Sequence, residues 1–595
     1  MISSPTGRTI FQAIESARDI GDRGFTFVDE KGQETFRSFQ DTLRESMRLG
    51  TAIQQLKIRR RDRVALIIPD HQSFVGAFLA SLLAGAVPTP IYPPSSLLKV
   101  DAWLETTTAI LESAQPTAIL TVEWIRPLLW TRAASIGARL VTLPELSADR
   151  EIQIPDHIDF DDVAFLQFTS GSTGRPRGVM VTHRNIAENC AGIMGEFLGS
   201  TADDIGVSWL PLYHDMGLIG FLFAPVFARR PAILLSSLGF VKRPSLWFEL
   251  IHKHRATITF APNFGYALAA RRITTEDLAR WDLSCLRVAG CGGEPIAADT
   301  LRSFANRFAQ AGLRRDALLP CYGMAEATLV VTYTGIGTDW RCDRVDAERF
   351  RDNAVATSTK SESEFLEFVG CGRPISRHSV RIIDEEGRVV PERVIGEIEF
   401  SGPSVTAGYF GNPEATADAY RQECLRTGDL GYISQGELFV TGRKKDLIII
   451  RGRKYAPQVL EWLVGGLKGI RAGAVVAFGR AGRSGTEDLV IVCEAATSNA
   501  AAIETEVRSC ISEQLALLVG DVVILRPGTL PKTSSGKLQR SKTRQMYVEG
   551  TLRRMANEKR PTQFDRLLLK LRLRCRSIVG RLRYELRNSK NEKAR

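Results

Sequence analysis

Short apolar runs alternate with amphipathic stretches through the first half of the chain. Residues 8–55 read as a helix, a hairpin (Phe25-Thr26-Phe27-Val28, a turn at Lys31-Gly32, Glu34-Thr35-Phe36) and a long second helix. The run Val64-Ala65-Leu66-Ile67-Ile68 then predicts a buried strand, residues 73–84 a helix, 87–91 a strand, 99–113 a helix and 118–120 a strand. A second series repeats the theme, with strands over 205–210, 231–236, 256–260 and 286–289 separated by helical segments. Alternating strands and helices predict an α/β body whose sheets are largely parallel. Over 364–440 the pattern changes to short strands and turns, which predicts a β-rich subdomain. Beyond Thr441-Gly442-Arg443-Lys444-Lys445-Asp446 a compact α+β unit runs to about residue 548, with strands near 474–478 and 488–493 and a helix over 500–518.

These elements divide the chain into a large body over 1–444, a small unit over 445–548 and a tail over 549–595, with a hinge expected at Lys445. A length of 595 residues is too great for one core, so several are expected. The most apolar window, residues 74–91, carries Gly76, Gly85, Pro88 and Pro90, and fits a core helix running into a strand better than a membrane span. No secretory signal is read at the start, and a cytoplasmic setting is expected. The ten cysteines are scattered singly and predict reduced thiols, many of them core filler; they form no metal-spaced cluster with the seven histidines.

Charge adds one feature. The net charge is +11, and the tail from Thr551 holds 15 Lys/Arg against 4 Asp/Glu, so the first 550 residues balance. That balance disfavours a nucleic-acid-binding body. In the tail Leu567, Leu568, Leu571, Cys575, Ile578, Val579 and Leu582 share one helical face, with arginines mostly elsewhere. A basic amphipathic helix of this kind suits an anionic membrane surface or an acidic protein, and a solvated terminus is the alternative.

Candidate chemistry is concentrated in six segments. The first follows the apolar run 163–168 and reads Thr169-Ser170-Gly171-Ser172-Thr173-Gly174-Arg175-Pro176-Arg177-Gly178. Turned backbone N–H groups, hydroxyls and guanidiniums on one loop suit a polyphosphate, although the spacing is not that of a Walker loop. The others are Trp209-Leu210-Pro211-Leu212-Tyr213-His214-Asp215-Met216-Gly217, Cys291-Gly292-Gly293-Glu294-Pro295, Cys321-Tyr322-Gly323-Met324-Ala325-Glu326, Arg426-Thr427-Gly428-Asp429 and Pro531-Lys532-Thr533-Ser534-Ser535-Gly536-Lys537. Loops beyond the carboxyl ends of parallel strands converge on one crevice. Taken singly, Tyr322 reads as a core aromatic, Asp429 as a turn residue and Lys537 as a solvated lysine.

In this order the six segments resemble those of the adenylate-forming superfamily of acyl-CoA ligases, luciferases and peptide-synthetase adenylation domains. The segment 209–220, together with Ala261-Pro262-Asn263-Phe264-Gly265-Tyr266 and Lys445-Asp446-Leu447-Ile448-Ile449-Ile450-Arg451-Gly452, is similar to the stand-alone fatty-acyl-AMP ligases. The resemblance implies ATP and Mg²⁺ as cofactors and a fatty acid as substrate. It implies that Thr169, Ser170, Gly171, Ser172, Thr173, Gly174 and Arg177 wrap the phosphates. Tyr322 would stack on adenine beside Gly323 and Met324, with the Gly292, Gly293 and Glu294 backbone at the base edge. Glu326 would hold the metal ion, Asp429 the ribose hydroxyls with Arg443 close by, and His214 would lie near the acyl carboxylate. Lys537 would contact that carboxylate and the α-phosphate. Segment 332–368 corresponds to an insertion that disfavours coenzyme A, which implies transfer to an acyl carrier protein acting in trans. A long-chain acyl-CoA ligase and a catalytically silent homologue are the competing readings.

Two positions depart from the family pattern. Lys454-Tyr455-Ala456-Pro457-Gln458 replaces an Asn-containing segment, and Arg177 stands where the family carries lysine. A planar guanidinium keeps the charge but not the mobility of an ammonium. Arg177→Lys is therefore expected to preserve adenylation, whereas Arg177→Ala raises the KM for ATP about tenfold or more, the loss of one charge-assisted contact; pyrophosphate exchange against ATP concentration measures both.

Overall fold

The structure is a computed structural model that describes residues 8–94, 100–155, 158–169, 176–361, 365–482, 487–495, 499–515, 517–533 and 536–552. Thus Ser170, Gly171, Ser172, Thr173 and Gly174 of the expected phosphate loop, and the basic helix expected in the tail, lie outside the described residues.

Six parallel strands form the centre of a nine-stranded sheet: Leu318–Gly323, Val288–Cys291, Ile258–Ala261, Gly206–Ser208, Ala232–Leu235 and Gly24–Val28, in that spatial order. Antiparallel strands finish its edges, Val330–Tyr333 and Arg373–Pro374 at one side and Glu34–Ser38 at the other. A second, four-stranded parallel sheet is ordered Val87–Pro90, Arg63–Ile67, Ala118–Thr121 and Arg139–Thr142. The helix His71–Leu83 is buried at every residue from Phe74 to Leu83, as expected of a helix apolar all round. Its Phe78 ring lies 5.9 Å from Phe165 and 5.7 Å from Phe223, which joins it to the hairpin Val163–Thr169/Arg177–Thr182 and to the large sheet's helical layer. This is the window 74–91 read from sequence as a core helix running into a strand. Among the described residues no helix is long and apolar enough to cross a membrane.

The β-rich unit is an antiparallel sheet in which Cys424–Ser434 pairs with Gly396–Ser401 on one side and Glu437–Arg443 on the other. Register matters here, because Asp429 stands directly opposite Arg443. Segment 332–368 is more regular than its sequence suggests: strands Cys342–Asp346 and Phe365–Val369 pair antiparallel, with a helix over Ala347–Asn353. Val345, Leu366 and Phe368 pack on Tyr432 and Phe439 of the β-rich unit, and the Tyr432 hydroxyl donates to Asp343 at 2.8 Å. The charged residues of Cys342–Asp346 hid the strand, since it is anchored mainly through Val345.

Beyond Lys445 a three-stranded sheet, Ile470–Ala481, Glu487–Ala495 and Val519–Leu525, has apolar residues on both faces. Val475 and Ile491 face the helices Pro457–Gly465 and Ala500–Leu515, while Val476, Val490 and Val523 pack with Leu530 and Tyr547. The nine cysteines among the described residues are all free thiols.

One buried group makes the large body sensitive to acid. His183, 4 % exposed at the start of the helix His183–Gly192, packs on Phe11 at 5.5 Å, and burial lowers its pKa to about 4. The folded state thus prefers the neutral ring. Its contribution is complete above the unfolded value near 6.5 and is lost as pH falls toward 4. Between pH 7 and pH 5 His183 is expected to cost about 2 kcal/mol, so His183→Phe should flatten that part of the pH dependence of the first urea-unfolding transition.

Candidate functional site

The loops that leave the carboxyl ends of the parallel strands open into one cleft of about 3000 Å³ between the large body and the small unit. After Gly206–Ser208 the chain turns through Pro211 and presents His214 as the residue capping a short helix, Asp215–Leu218. His214 Nδ1 contacts the Asp215 carboxylate, which also accepts the Met216 N–H at 2.7 Å. Burial opposes charge on Asp215, yet His214 and Lys537 hold its pKa below the usual carboxylate range.

Strand Val288–Cys291 delivers Gly292, Gly293 and Glu294. Gly293 has φ of +78°, and its missing side chain leaves room for Lys537, whose Nζ lies 3.6 Å from where a Cβ would stand. Glu294 lines the cleft and accepts the Phe264 N–H at 2.6 Å, at the start of the helix Asn263–Arg272. Burial pushes the Glu294 carboxyl up. Gly292 is not on the cleft wall; a Cβ there would stand 2.7 Å from Cys321 Sγ.

Strand Leu318–Gly323 carries Tyr322 at its end. The phenol donates to Asp429 Oδ2 at 2.8 Å, and Asp429 Oδ1 accepts from Arg443 Nε at 2.7 Å. One carboxylate therefore fixes an aromatic from the large sheet and a guanidinium beside the hinge. Burial and Asp429 together push the Tyr322 phenol far above its ordinary pKa, so it stays protonated and keeps donating. Gly323 and Met324 follow on the cleft wall, and the tight turn Ala325–Ala327 presents Glu326. Thr328 closes that turn with φ of +70°. Glu326 is half-buried, desolvation raises its pKa, and its Oε1 accepts from the Tyr409 hydroxyl at 2.9 Å.

Of the expected phosphate loop, Thr169 and Arg177 are described, and they face each other as the last pair of the hairpin. Arg177 stacks over the Tyr409 ring, 5.1 Å from guanidinium carbon to centroid. Lys445 lines the same cleft; burial lowers its pKa first, and Arg443 and Arg177 add to the shift. Its neighbour Asp446 pairs with Arg540 of the small unit, which also grips Glu461 at 2.9 Å. Lys537 is held by its own loop, where its N–H donates to Thr533 Oγ1 at 3.0 Å and its carbonyl accepts the Thr533 N–H at 2.7 Å.

Beyond His214 the cleft becomes apolar, with Phe197, Phe221, Ile258, Phe260 and Leu329 on its wall. Phe260 fills the space above Gly290, where a Cβ would stand 2.0 Å from the ring. Gln167, from the hairpin, donates to the Tyr213 carbonyl at 3.1 Å at the boundary between the polar and apolar parts.

Tyr409, Gln167 and the aromatic wall were not singled out from sequence. Tyr409 sits in Thr406-Ala407-Gly408-Tyr409-Phe410, whose glycine and hydroxyl residues carry a turn signal but no chemical one. The aromatics of the wall are far apart in the chain, so only the fold assembles them.

Among the described residues, no group of three or more His, Cys, Asp or Glu side chains is placed to hold a metal ion. The lone half-buried Glu326 carboxylate fits a hard cation that takes most of its oxygens from phosphates and water, as Mg²⁺ does.

Comparison with known proteins agrees with this geometry. Residues 17–410 match the family described as AMP-binding enzyme. A Caulobacter vibrioides protein named provisionally as an acyl-CoA synthetase is 36% identical over 558 residues, covering 91% of this chain and 96% of its own. The Moorena producens medium-chain-fatty-acid–[acyl-carrier-protein] ligase JamA is 34% identical over 581 residues, covering 93% and 97%. A solved structure from work on the fatty acyl-adenylate ligases of E. coli and L. pneumophila superposes with a TM-score of 0.86 at 34% identity, over 93% of this chain and 100% of that one. With its strand-end loops, buried carboxylates and one shared cleft, this chain belongs to the AMP-binding enzyme family.

Proposed function

We propose that the protein joins a medium- or long-chain fatty acid to AMP at the expense of ATP, and then passes the acyl group to the phosphopantetheine thiol of a separate carrier protein. In the first step a carboxylate oxygen attacks the α-phosphorus, the bond to the β-phosphate oxygen breaks, and pyrophosphate leaves with the electron pair. In the second the thiolate attacks the acyl carbonyl and AMP departs. The observation that carries this reading is the position of Lys537. It lines the cleft beside Gly293, close enough to Asp215 and Glu294 to favour their charged forms.

The physical problem is charge. A fatty carboxylate must approach an anionic triphosphate, and two unit charges about 4 Å apart repel by about 4 kcal/mol at an effective dielectric of about 20, against about 1 kcal/mol in water. Excluding water for the acyl chain makes the repulsion worse. In this reading Lys537 offsets it at the reacting carboxylate and α-phosphate, and Arg177 at the outer phosphates. Tyr322 stacks on the adenine while its hydroxyl holds Asp429. Asp429 and Arg443 meet the ribose, and His214 lies beside the carboxylate. Mg²⁺ bound by Glu326 would neutralise phosphate charge. The remaining catalysis is orientation for in-line attack. The boundaries proposed for the moving parts are a large domain to residue 444, a hinge at Lys445 and a small domain to 548.

Transfer to a carrier rather than coenzyme A rests on the likeness to JamA and on segment 332–368. That segment reaches the small unit: Asp352 pairs with Arg453 at 2.9 Å, Arg351 stacks on Tyr455 at 5.5 Å, and Val459 packs into its core. The Caulobacter relative's name favours the second reading, an acyl-CoA ligase.

Incubation with ATP, Mg²⁺ and a twelve-carbon acid should accumulate acyl-AMP. Addition of a phosphopantetheinylated carrier then consumes it, and addition of coenzyme A does not; rapid acyl-CoA formation would establish the second reading instead. Lys537→Ala should lower the rate of acyl-AMP formation about 100-fold or more with little change in nucleotide affinity, the signature of a group that acts on developing charge. Weaker nucleotide affinity with an unchanged rate at saturation would place Lys537 in binding alone.

A further inference from the structure

Segment 406–410 carries no role in the reading above, yet it touches both ends of the phosphate region. Thr406 binds the Glu326 carbonyl twice, through its N–H at 3.0 Å and its hydroxyl at 3.0 Å. Three residues later the Tyr409 hydroxyl donates to the Glu326 carboxylate at 2.9 Å. The same stretch runs alongside the hairpin arm Arg177–Thr182 as an added strand. Met180 N–H donates to the Gly408 carbonyl at 2.9 Å, Ala407 N–H to the Met180 carbonyl at 3.1 Å, and Phe410 N–H to the Gly178 carbonyl at 2.8 Å. Tyr409 itself bridges to Val179.

This strap cannot slide without breaking several backbone hydrogen bonds. Gly408 has φ of +104°, and a Cβ there would stand 2.4 Å from Thr416, whose hydroxyl accepts the Tyr409 N–H at 3.0 Å. The ring is braced on its other side by Tyr420, edge-on at 5.9 Å, and the Tyr420 hydroxyl is shared with Thr406 at 2.7 Å. Tyr409 is 6 % exposed, and what it exposes lines the cleft. Over its face lies Arg177 at 5.1 Å.

We propose that Tyr409 is a positioning residue that sets the Glu326 carboxylate and the Arg177 guanidinium in fixed relation, so that metal ion and polyphosphate are met together. The hydroxyl holds one oxygen of Glu326 and leaves the other for a cation, while the ring face orients the guanidinium. A flat guanidinium stacks on a tyrosine better than an ammonium does, which accounts for arginine at position 177. The proposal rests on the reading that Glu326 and Arg177 contact Mg²⁺ and phosphate.

The two halves of the side chain can be removed separately. Binding of α,β-methylene-ATP, which cannot react, is measured calorimetrically across a Mg²⁺ titration on the full chain. Tyr409→Phe keeps the ring and is expected to raise the half-saturating Mg²⁺ concentration about tenfold, the loss of one hydrogen bond to a charged group. Nucleotide affinity at saturating Mg²⁺ should stay within about threefold, since the ring still faces Arg177. Tyr409→Leu should also weaken nucleotide binding at saturating Mg²⁺, and the double variant with Arg177→Ala should bind no worse than Arg177→Ala alone. An unchanged Mg²⁺ dependence in Tyr409→Phe overturns the proposal, as does additive loss in the double variant. If Tyr409→Leu does not fold, the phenylalanine variant decides. Absence of any Mg²⁺-dependent nucleotide binding by the unaltered protein would instead overturn the functional reading on which the proposal stands.

Discussion

The arrangement of the site depends on the carboxylate of Asp429. It is buried, and each oxygen has a partner from a different part of the chain: the Tyr322 hydroxyl from the nine-stranded sheet and the Arg443 guanidinium from the strand leading to the hinge. The Arg443 side chain is 47% accessible, so solvent screens its pairing with the buried carboxylate, and the Tyr322 hydroxyl is the shielded partner. The contact therefore fixes register as much as it adds stability. Tyr322 cannot rotate away without stranding Asp429, and Arg443 cannot leave without doing the same. The path of the chain into Lys444–Asp446 is set at that point.

Around this fixed pair the cleft carries an uneven distribution of charge. Arg177, Lys445 and Lys537 face it, and burial opposes the charge on Lys445. Burial likewise raises the carboxyl groups of Glu294 and Glu326. Opposite charges are thus present but kept a short distance apart, each poorly solvated and incompletely neutralised. In a cleft of low dielectric, like charges repel and unlike charges attract more strongly than in water. The apolar wall beyond His214 extends the same logic, since it excludes the water that would otherwise screen the reacting charges.

Contacts between the small unit and the rest are of a different kind. The Asp352–Arg453 pair is exposed on both sides, with Arg453 49% and Asp352 32% accessible, and such pairs contribute about 1 kcal/mol or less and weaken with salt. Arg540 with Asp446 and Glu461 is better shielded, and all three belong to the segment after residue 444. Other contacts between the small unit and the rest are buried: Gln458 Nε2 donates to the Thr441 carbonyl, and Val459 packs beside Phe368 and Tyr432.

Much of this was legible in the sequence, for stated physical reasons. Alternation of short apolar runs with helical stretches determined the parallel sheets, because a strand buried on both faces must be apolar throughout. The all-apolar window 74–91 became a buried helix and strand, and the glycines and prolines within it had already argued against a membrane span. Three of the six polar segments, at Trp209, Cys291 and Cys321, fell on one cleft because they follow the carboxyl ends of parallel strands, while packing alone brought the hairpin turn after Thr169, the antiparallel strand of Asp429 and the Lys537 loop to it. Tertiary structure alone decided the rest. Asp429 opposes Arg443 only through a strand register with an irregularity between Leu430 and Gly431, which no local pattern encodes. Tyr409 meets Glu326 across 83 residues of chain, and the wall of Phe197, Phe221 and Phe260 is gathered from three separate elements. Periodicity reports which face of an element is buried, but not which other element buries it. The sequence by itself therefore determined the elements, the family and the residues that bear charge, while packing decided which of those residues touch.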